Sequence, residues 1–118
     1  MLPLRLAAVE TIADGRCLGI EAGFGGLDTG IFLYRRGLQV HCYVNSCPHT
    51  GVPLEWLPHR FLDAGGEHIQ CKTHGALFRP EDGHCVAGPC VGRALRACQI
   101  GIRDGDIYLV ALPPPAFS

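Results

Sequence analysis

Two short pairs of cysteine and histidine constrain this chain more than any other feature of its sequence. Cys47-Pro-His49 and Cys71-x-x-His74 each supply one thiolate and one imidazole. Thiolates suit iron–sulfur clusters and zinc, and imidazole suits iron and zinc, so ligand type leaves both metals open. Either metal requires a fold that brings these two loops together.

The order of ligands within each pair favours iron. Many structural zinc sites pair like with like, as two cysteines followed by two histidines. Here each pair is mixed, so that each loop can touch both irons of a [2Fe–2S] cluster if the cysteines bind one iron and the histidines the other. Gly75, directly after the second pair, permits a close chain approach or a positive φ. A [2Fe–2S] cluster is therefore the first interpretation, and a structural zinc site is the alternative.

The rest of the sequence is typical of an all-β protein. Sixteen glycines and nine prolines separate nine short segments rich in branched and aromatic residues, which predict nine strands. Apolar residues alternate with Gln39, His41, Tyr43 and Asn45, which predicts a half-buried strand. Arg36-Gly37, Asp82-Gly83 and Asp104-Gly105 predict hairpin turns. Only Pro53–Asp63 has a helical spacing of apolar residues, and Pro58 inside it predicts a single turn or a folded loop instead.

Three motifs together carry a resemblance to a known family. Cys47-Pro-His49, then Cys71-x-x-His74-Gly-Ala-Leu-Phe78, then Asp82-Gly-His-Cys-Val-Ala-Gly-Pro89 resemble the Rieske ferredoxin family, over about residues 40–110. The resemblance implies a Rieske-type antiparallel β-sandwich with a smaller inserted cluster-binding β-subdomain. It implies one [2Fe–2S] cluster held by Cys47, His49, Cys71 and His74. One domain is expected over residues 1–112, with its cluster-binding part at about 45–90 and an extended tail at 113–118.

The resemblance also implies an electron carrier rather than an enzyme. Its expected partners are a flavoprotein reductase as donor and a terminal oxygenase, or a similar acceptor. A complete Rieske oxygenase also needs a mononuclear iron held by two histidines and a carboxylate, and after Cys71 the chain has only His74 and His84. A redox-sensing or small subunit of a larger oxidoreductase is the alternative role, and a structural zinc module is a more remote one.

The charge and the apolar runs of the sequence argue against two kinds of partner, nucleic acid and membrane. The formal net charge is −1 with no basic stripe, so no nucleic-acid partner is expected. The longest apolar runs are far short of the roughly 20 residues that span a bilayer, so no membrane partner is expected. The short N-terminal apolar stretch reaches Glu10 at once and is interpreted as a strand, so the protein is expected in the cytoplasm. In that compartment Cys85 and Cys90, on either side of Pro89, are expected as reduced side chains.

Two departures from familiar relatives matter for function. Ala76 and Phe78 stand where high-potential Rieske proteins place hydroxyl donors to sulfur, and Val52 and Thr73 stand where those proteins form a disulfide. The predicted reduction potential is therefore near or below roughly −100 mV. The stretch from Thr50 to Gln70 is also long, at 21 residues. Its extra length is assigned to residues 56–64, either as a flap beside the cluster anchored by Trp56 and Phe61 or with Trp56 packed on the sandwich.

Overall fold

The computed structural model describes residues 2–21, 30–48 and 51–113, and within them the chain forms nine strands in three antiparallel sheets. The sheets have the orders β1-β9-β8, β2-β3-β4 and β5-β6-β7. The all-β antiparallel fold class predicted from the sequence is confirmed. The strands are β1 (Leu4–Ala8), β2 (Cys17–Ile20), β3 (Ile31–Arg36), β4 (Gln39–Val44), β5 (Ile69–Gln70), β6 (Leu77–Phe78), β7 (Cys85–Ala87), β8 (Gln99–Arg103) and β9 (Asp106–Ala111).

Two of the predicted features belong to residues that the structure does not describe. His49 and tail residues 114–118 lie outside the described residues. The expected boundary at residue 112 stays a prediction. No helix in the described part of the chain is long and apolar enough to cross a lipid bilayer.

The turn chemistry follows the sequence closely. Asp104 and Gly105, between β8 and β9, both have positive φ, at 53° and 79°. Two successive residues with positive φ match the twist of a two-residue hairpin, for which Asp-Gly is a preferred pair. Asp104-Gly105 therefore forms the hairpin that the sequence predicts.

The central sheet, β2-β3-β4, buries side chains on both of its faces. Ile31 and Leu33 pack on one face in an apolar cluster with Ile107 and Leu109 of the β1-β9-β8 sheet, which forms the core of the sandwich. Phe32, between them in sequence, points to the opposite face because neighbouring strand residues alternate and packs against the β5-β6-β7 sheet region. The small sheet therefore sits on the back of the sandwich.

The prediction that β4 is half-buried is wrong at its carboxyl end. Tyr43 and Asn45, on the face expected to be solvated, are only 2% and 8% exposed. The small sheet region covers them, and the Tyr43 hydroxyl donates to the Pro80 carbonyl at 2.6 Å. The alternation of residues along β4 carries no information about residues later in the chain that cover its outer face.

The long stretch before β5 folds as an arm of the small sheet. Leu62 pairs with Ile69 in an antiparallel bridge, and the Gln70 N–H donates to the Phe61 carbonyl at 2.8 Å. Phe61 is fully buried and stacks on Phe32 at 4.2 Å between ring centroids, whereas Trp56 is 72% exposed. Phe61 is thus the anchor that the sequence predicts, and Trp56 is not. Residues 53–63 contain no helix, as expected.

Candidate metal centre

The two predicted ligand loops share one hydrogen-bond pattern. In the first loop the Cys47 N–H donates to the Val52 carbonyl at 2.8 Å, and the Gly51 N–H donates back to the Cys47 carbonyl at 2.7 Å. In the second loop Cys71 and Gly75 repeat this pattern, with Ala76 as the acceptor, at 2.9 and 2.8 Å. Both glycines have positive φ, 79° and 75°, which a residue with a side chain rarely adopts. The repeated turn places each cysteine at the start of an equivalent loop.

A backbone hydrogen bond joins the second ligand loop to the segment that follows the first. The Lys72 N–H, next to Cys71, donates to the Leu54 carbonyl at 2.9 Å, and the Leu54 N–H donates to the buried Asn45 Oδ1 at 2.8 Å. Asn45 directly follows β4 and lies just before the first loop. The second loop is therefore fixed to the central sheet through the segment that follows the first.

The two predicted cysteine ligands meet inside the protein. Cys47 and Cys71 are 1% and 0% exposed and belong to the same buried cluster. Burial raises the pKa of the Cys71 thiol, and the adjacent Cys47 thiol also raises it, although the N–H groups of His74 and Thr73 donate to Cys71 and oppose the rise. Two buried sulfurs side by side carry negative charge only when a positive group binds them. This arrangement fits a metal centre bound through both sulfurs.

A third buried thiol lies beside this pair. Cys90 Sγ lies 3.7 Å from Cys47 Sγ, and Cys90 is fully buried. The sequence interpretation treated Cys90 as a small reduced side chain and missed this contact, because 43 residues separate the two cysteines. The segment of residues 88–93 thus closes the site from a third side.

Close packing holds that third segment in place. Gly88 has a φ of 95°, and a Cβ there would lie 2.8 Å from the Cα of Ala76. On the first loop, Arg93 Nη1 donates to the Pro48 carbonyl at 3.0 Å. Only glycine allows the third segment to approach the second ligand loop so closely.

The histidines divide between the site and other roles. His74 is exposed at the edge of the second loop, and His49 lies outside the described residues. Away from the loops, His59 Nδ1 accepts the Gly19 N–H at 3.0 Å, while His68 and His84 lie 3.6 and 3.5 Å from the carboxylates of Asp63 and Asp82, respectively. Within the described residues no three cysteine, histidine or acidic side chains form a preformed metal cage.

The other cysteines serve the core. Cys42 and Cys98 are buried in the sandwich and belong to its apolar cluster. Cys85 Sγ donates to the Ala87 carbonyl at 3.2 Å. All seven cysteines are thiols in the structure, and Cys85 and Cys90 form no disulfide.

Fold and site together place two buried cysteines at the start of two equivalent loops, at the back of a β-sandwich. The Rieske [2Fe-2S] domain family model matches residues 4–108. The chain therefore belongs to the Rieske [2Fe-2S] domain family, and the family's cofactor is one [2Fe–2S] cluster. No curated protein sequence matches the chain.

Solved structures share this fold. The ferredoxin of carbazole 1,9a-dioxygenase from Nocardioides aromaticivorans IC177 has a TM-score of 0.72 at 22% identity, covering 94% of this chain and 99% of that chain. A chain in the complex of reduced oxygenase and oxidized ferredoxin in carbazole 1,9a-dioxygenase has a TM-score of 0.72 at 20% identity, covering 95% of each. Apo dicamba monooxygenase has a TM-score of 0.66 at 27% identity, covering 98% of this chain but 34% of that chain.

Proposed function

We propose that this chain is an electron carrier whose [2Fe–2S] cluster is held by Cys47, His49, Cys71 and His74. It takes one electron from a flavoprotein reductase and passes it to a terminal oxygenase or a similar acceptor. The observation that carries the proposal is the meeting of Cys47 and Cys71 at the start of two equivalent loops. Residues 1–112 would form a single Rieske domain in the cytoplasm, where thiols stay reduced.

The comparisons support the carrier role in a specific way. The ferredoxin of a carbazole dioxygenase system shares the fold over 94% of this chain, with a TM-score of 0.72. In the carbazole dioxygenase system, ferredoxin forms a complex with the reduced oxygenase. We carry that kind of partner over to this chain as part of the proposal.

The exposure of the ligand side chains suggests the path of the electron. The bound cluster would supply a centre that gains and loses one electron. Cys47 and Cys71 lie in the core and hold their side of the site away from water, whereas His74 is exposed. Electron transfer requires close approach of the partner, and the histidine side is the side that a partner can reach.

The ligand assignment is tested by pairs of substitutions. In each pair one residue is a proposed ligand, and the other is a residue of the same type outside the ligand set. His74→Ala is expected to lose the cluster, and His84→Ala, which removes another exposed histidine, is expected to keep it. Cys71→Ser and Cys98→Ser form the same kind of pair in the core. The measurements are iron and sulfide per chain and the EPR spectrum after dithionite reduction. Full cluster content in His74→Ala would remove this residue from the ligand set.

The carrier role is tested separately on the intact holoprotein. Stopped-flow absorbance at the cluster's visible bands should show reduction by NADH with a catalytic amount of a ring-hydroxylating-system ferredoxin reductase. Mixing the reduced protein with an oxidised Rieske oxygenase should then restore the oxidised spectrum. A cluster that forms but exchanges electrons with neither protein would contradict the carrier role and leave the ligand assignment standing.

A further inference from the structure

A cavity of about 700 Å³ lies beside the small sheet, away from the sulfurs of Cys47 and Cys71. Its walls come from the start of β2 and from the arm that precedes β5, and it reaches Lys72 in the second ligand loop. Small-molecule sites commonly have volumes of about 300–1,000 Å³. The cavity is therefore large enough for a ligand of its own.

Positive charge dominates the cavity wall. Arg16, Arg60 and Lys72 line it, and none of them forms an ion pair with a carboxylate of the described residues. Lys72 Nζ donates to the Leu62 carbonyl at 2.8 Å and to Gln70 Oε1 at 3.1 Å. Those two bonds fix the ammonium group and leave one of its three donors for a ligand.

The acidic and imidazole groups of the cavity do not cancel this charge. Asp63, the only carboxylate among the described residues that line the cavity, accepts the N–H groups of Glu67 and His68 at 3.0 and 3.2 Å. Burial would raise the pKa of Asp63, but those bonds outweigh it and the pKa is lowered. His59 accepts the Gly19 N–H at Nδ1 and adds no negative charge to the wall. Three cations thus face one carboxylate that is already bound within the arm.

The cavity also has an apolar side. Trp56 and Leu57 are 72% and 63% exposed at its edge, and the buried Phe61 lies at its wall. Burial raises the pKa of the Cys17 thiol to about 12, so this lining group is neutral near pH 7 and adds to the apolar surface. An indole stacks well on a flat ring and leaves the neighbouring cations to meet a charged substituent.

We propose that this cavity binds a small aromatic carboxylate, with the ring against Trp56 and Leu57 and the carboxylate on Arg16 and Arg60. Arginine binds carboxylates through two parallel hydrogen bonds, which gives the site its preference for a planar anion. Lys72 links the cavity to the second ligand loop, because it directly follows Cys71. The cavity thus reaches the second ligand loop at Lys72, while Cys47 and Cys71 are not among its lining residues.

The test is a calorimetric titration of the holoprotein with 2-naphthoate at low ionic strength. Trp56 is the only tryptophan of the chain, so its fluorescence gives a second readout. Saturable binding is expected, and Arg16→Gln and Arg60→Gln should each weaken it about tenfold, as expected for loss of a charge-assisted pair. Arg103→Gln, an exposed arginine of β8 outside the cavity, is the matched control and should bind as the wild type does.

Two control ligands test the charged part and the apolar part of the proposed site separately. Inorganic phosphate and the neutral 2-naphthalenemethanol should both bind at least tenfold more weakly than 2-naphthoate. Equal binding of phosphate would show a simple anion site, and equal binding of the alcohol would show an apolar patch; either result overturns the proposal. Absence of saturation, or unchanged affinity in both arginine variants with an intact cluster spectrum, overturns it as well.

Discussion

Replacing Cys90 with alanine should lower the reduction potential of the cluster. Cys90 Sγ lies 3.7 Å from Cys47 Sγ, and both side chains are buried. In the thiol form either sulfur can donate, but a cysteine bound to iron is a thiolate and can only accept. If Cys47 binds the cluster as proposed, Cys90 would therefore be the donor and Cys47 the acceptor.

The size of the effect follows from the strength of one weak hydrogen bond. Donors to cluster or ligand sulfur favour the reduced state, because the added electron makes the sulfur more negative. A net contribution of about 0.5–1 kcal/mol is reasonable for such a bond, and for one electron this range corresponds to about 20–40 mV. Cys90→Ala should therefore shift the midpoint about 20–40 mV downward.

Protein-film voltammetry on the wild type and two variants measures this shift. Cys85→Ala is the matched control, because its thiol is also buried but donates to the Ala87 carbonyl instead of to a ligand. Cys90→Ser keeps a donor and should lie closer to the wild type than Cys90→Ala does. Equal midpoints for the two alanine variants, or an upward shift in Cys90→Ala, would show that Cys90 does not donate to the ligand sulfur.

Two stability predictions test how the site is attached to the fold. Phe61→Ala should lower the free energy of unfolding by about 3–5 kcal/mol, whereas Trp56→Ala should change it by no more than about 0.5 kcal/mol; similar losses in urea titrations would contradict the assignment of Phe61 as sole anchor. Asn45 Oδ1 accepts the Leu54 N–H and its Nδ2 donates to Glu55 Oε1, both at 2.8 Å. Asn45→Ala should therefore cost about 1–3 kcal/mol. Glu55→Ala, which removes only the partner of Nδ2 and leaves the Leu54 bond in place, should cost less, and the reverse order would be evidence against the Leu54 bond.

The sequence predicts the fold where local chemistry decides it. Asp104-Gly105 can satisfy two successive positive φ angles almost uniquely, so its hairpin is predicted correctly. Gly51 and Gly75, which follow the two ligand pairs, are equally informative, because the turn of each ligand loop requires a positive φ at that position. These features depend on a few neighbouring residues and on backbone sterics alone.

The sequence fails where distant segments meet. The buried Tyr43 hydroxyl donates to Pro80, and the buried thiol next to Cys47 belongs to Cys90, far along the chain. The N–H groups of Thr73 and His74 that donate to Cys71 leave no mark on the sequence, because every residue other than proline has a backbone N–H. The absence of hydroxyls at Ala76 and Phe78 is therefore an incomplete account of the donors around the sulfurs.

The buried side chains form two apolar clusters, and one of them contains the proposed cysteine ligands. The sandwich cluster, which includes Ile31 and Leu109, contains none of the proposed ligands. The other cluster contains Cys47, Cys71 and Cys90 together with Phe32 of the central sheet. Because close-packed side chains resist displacement, the sulfurs hold their positions as firmly as the core around them. The cysteine side of the proposed site is thus part of the close-packed interior, whereas His74 lies on its exposed side.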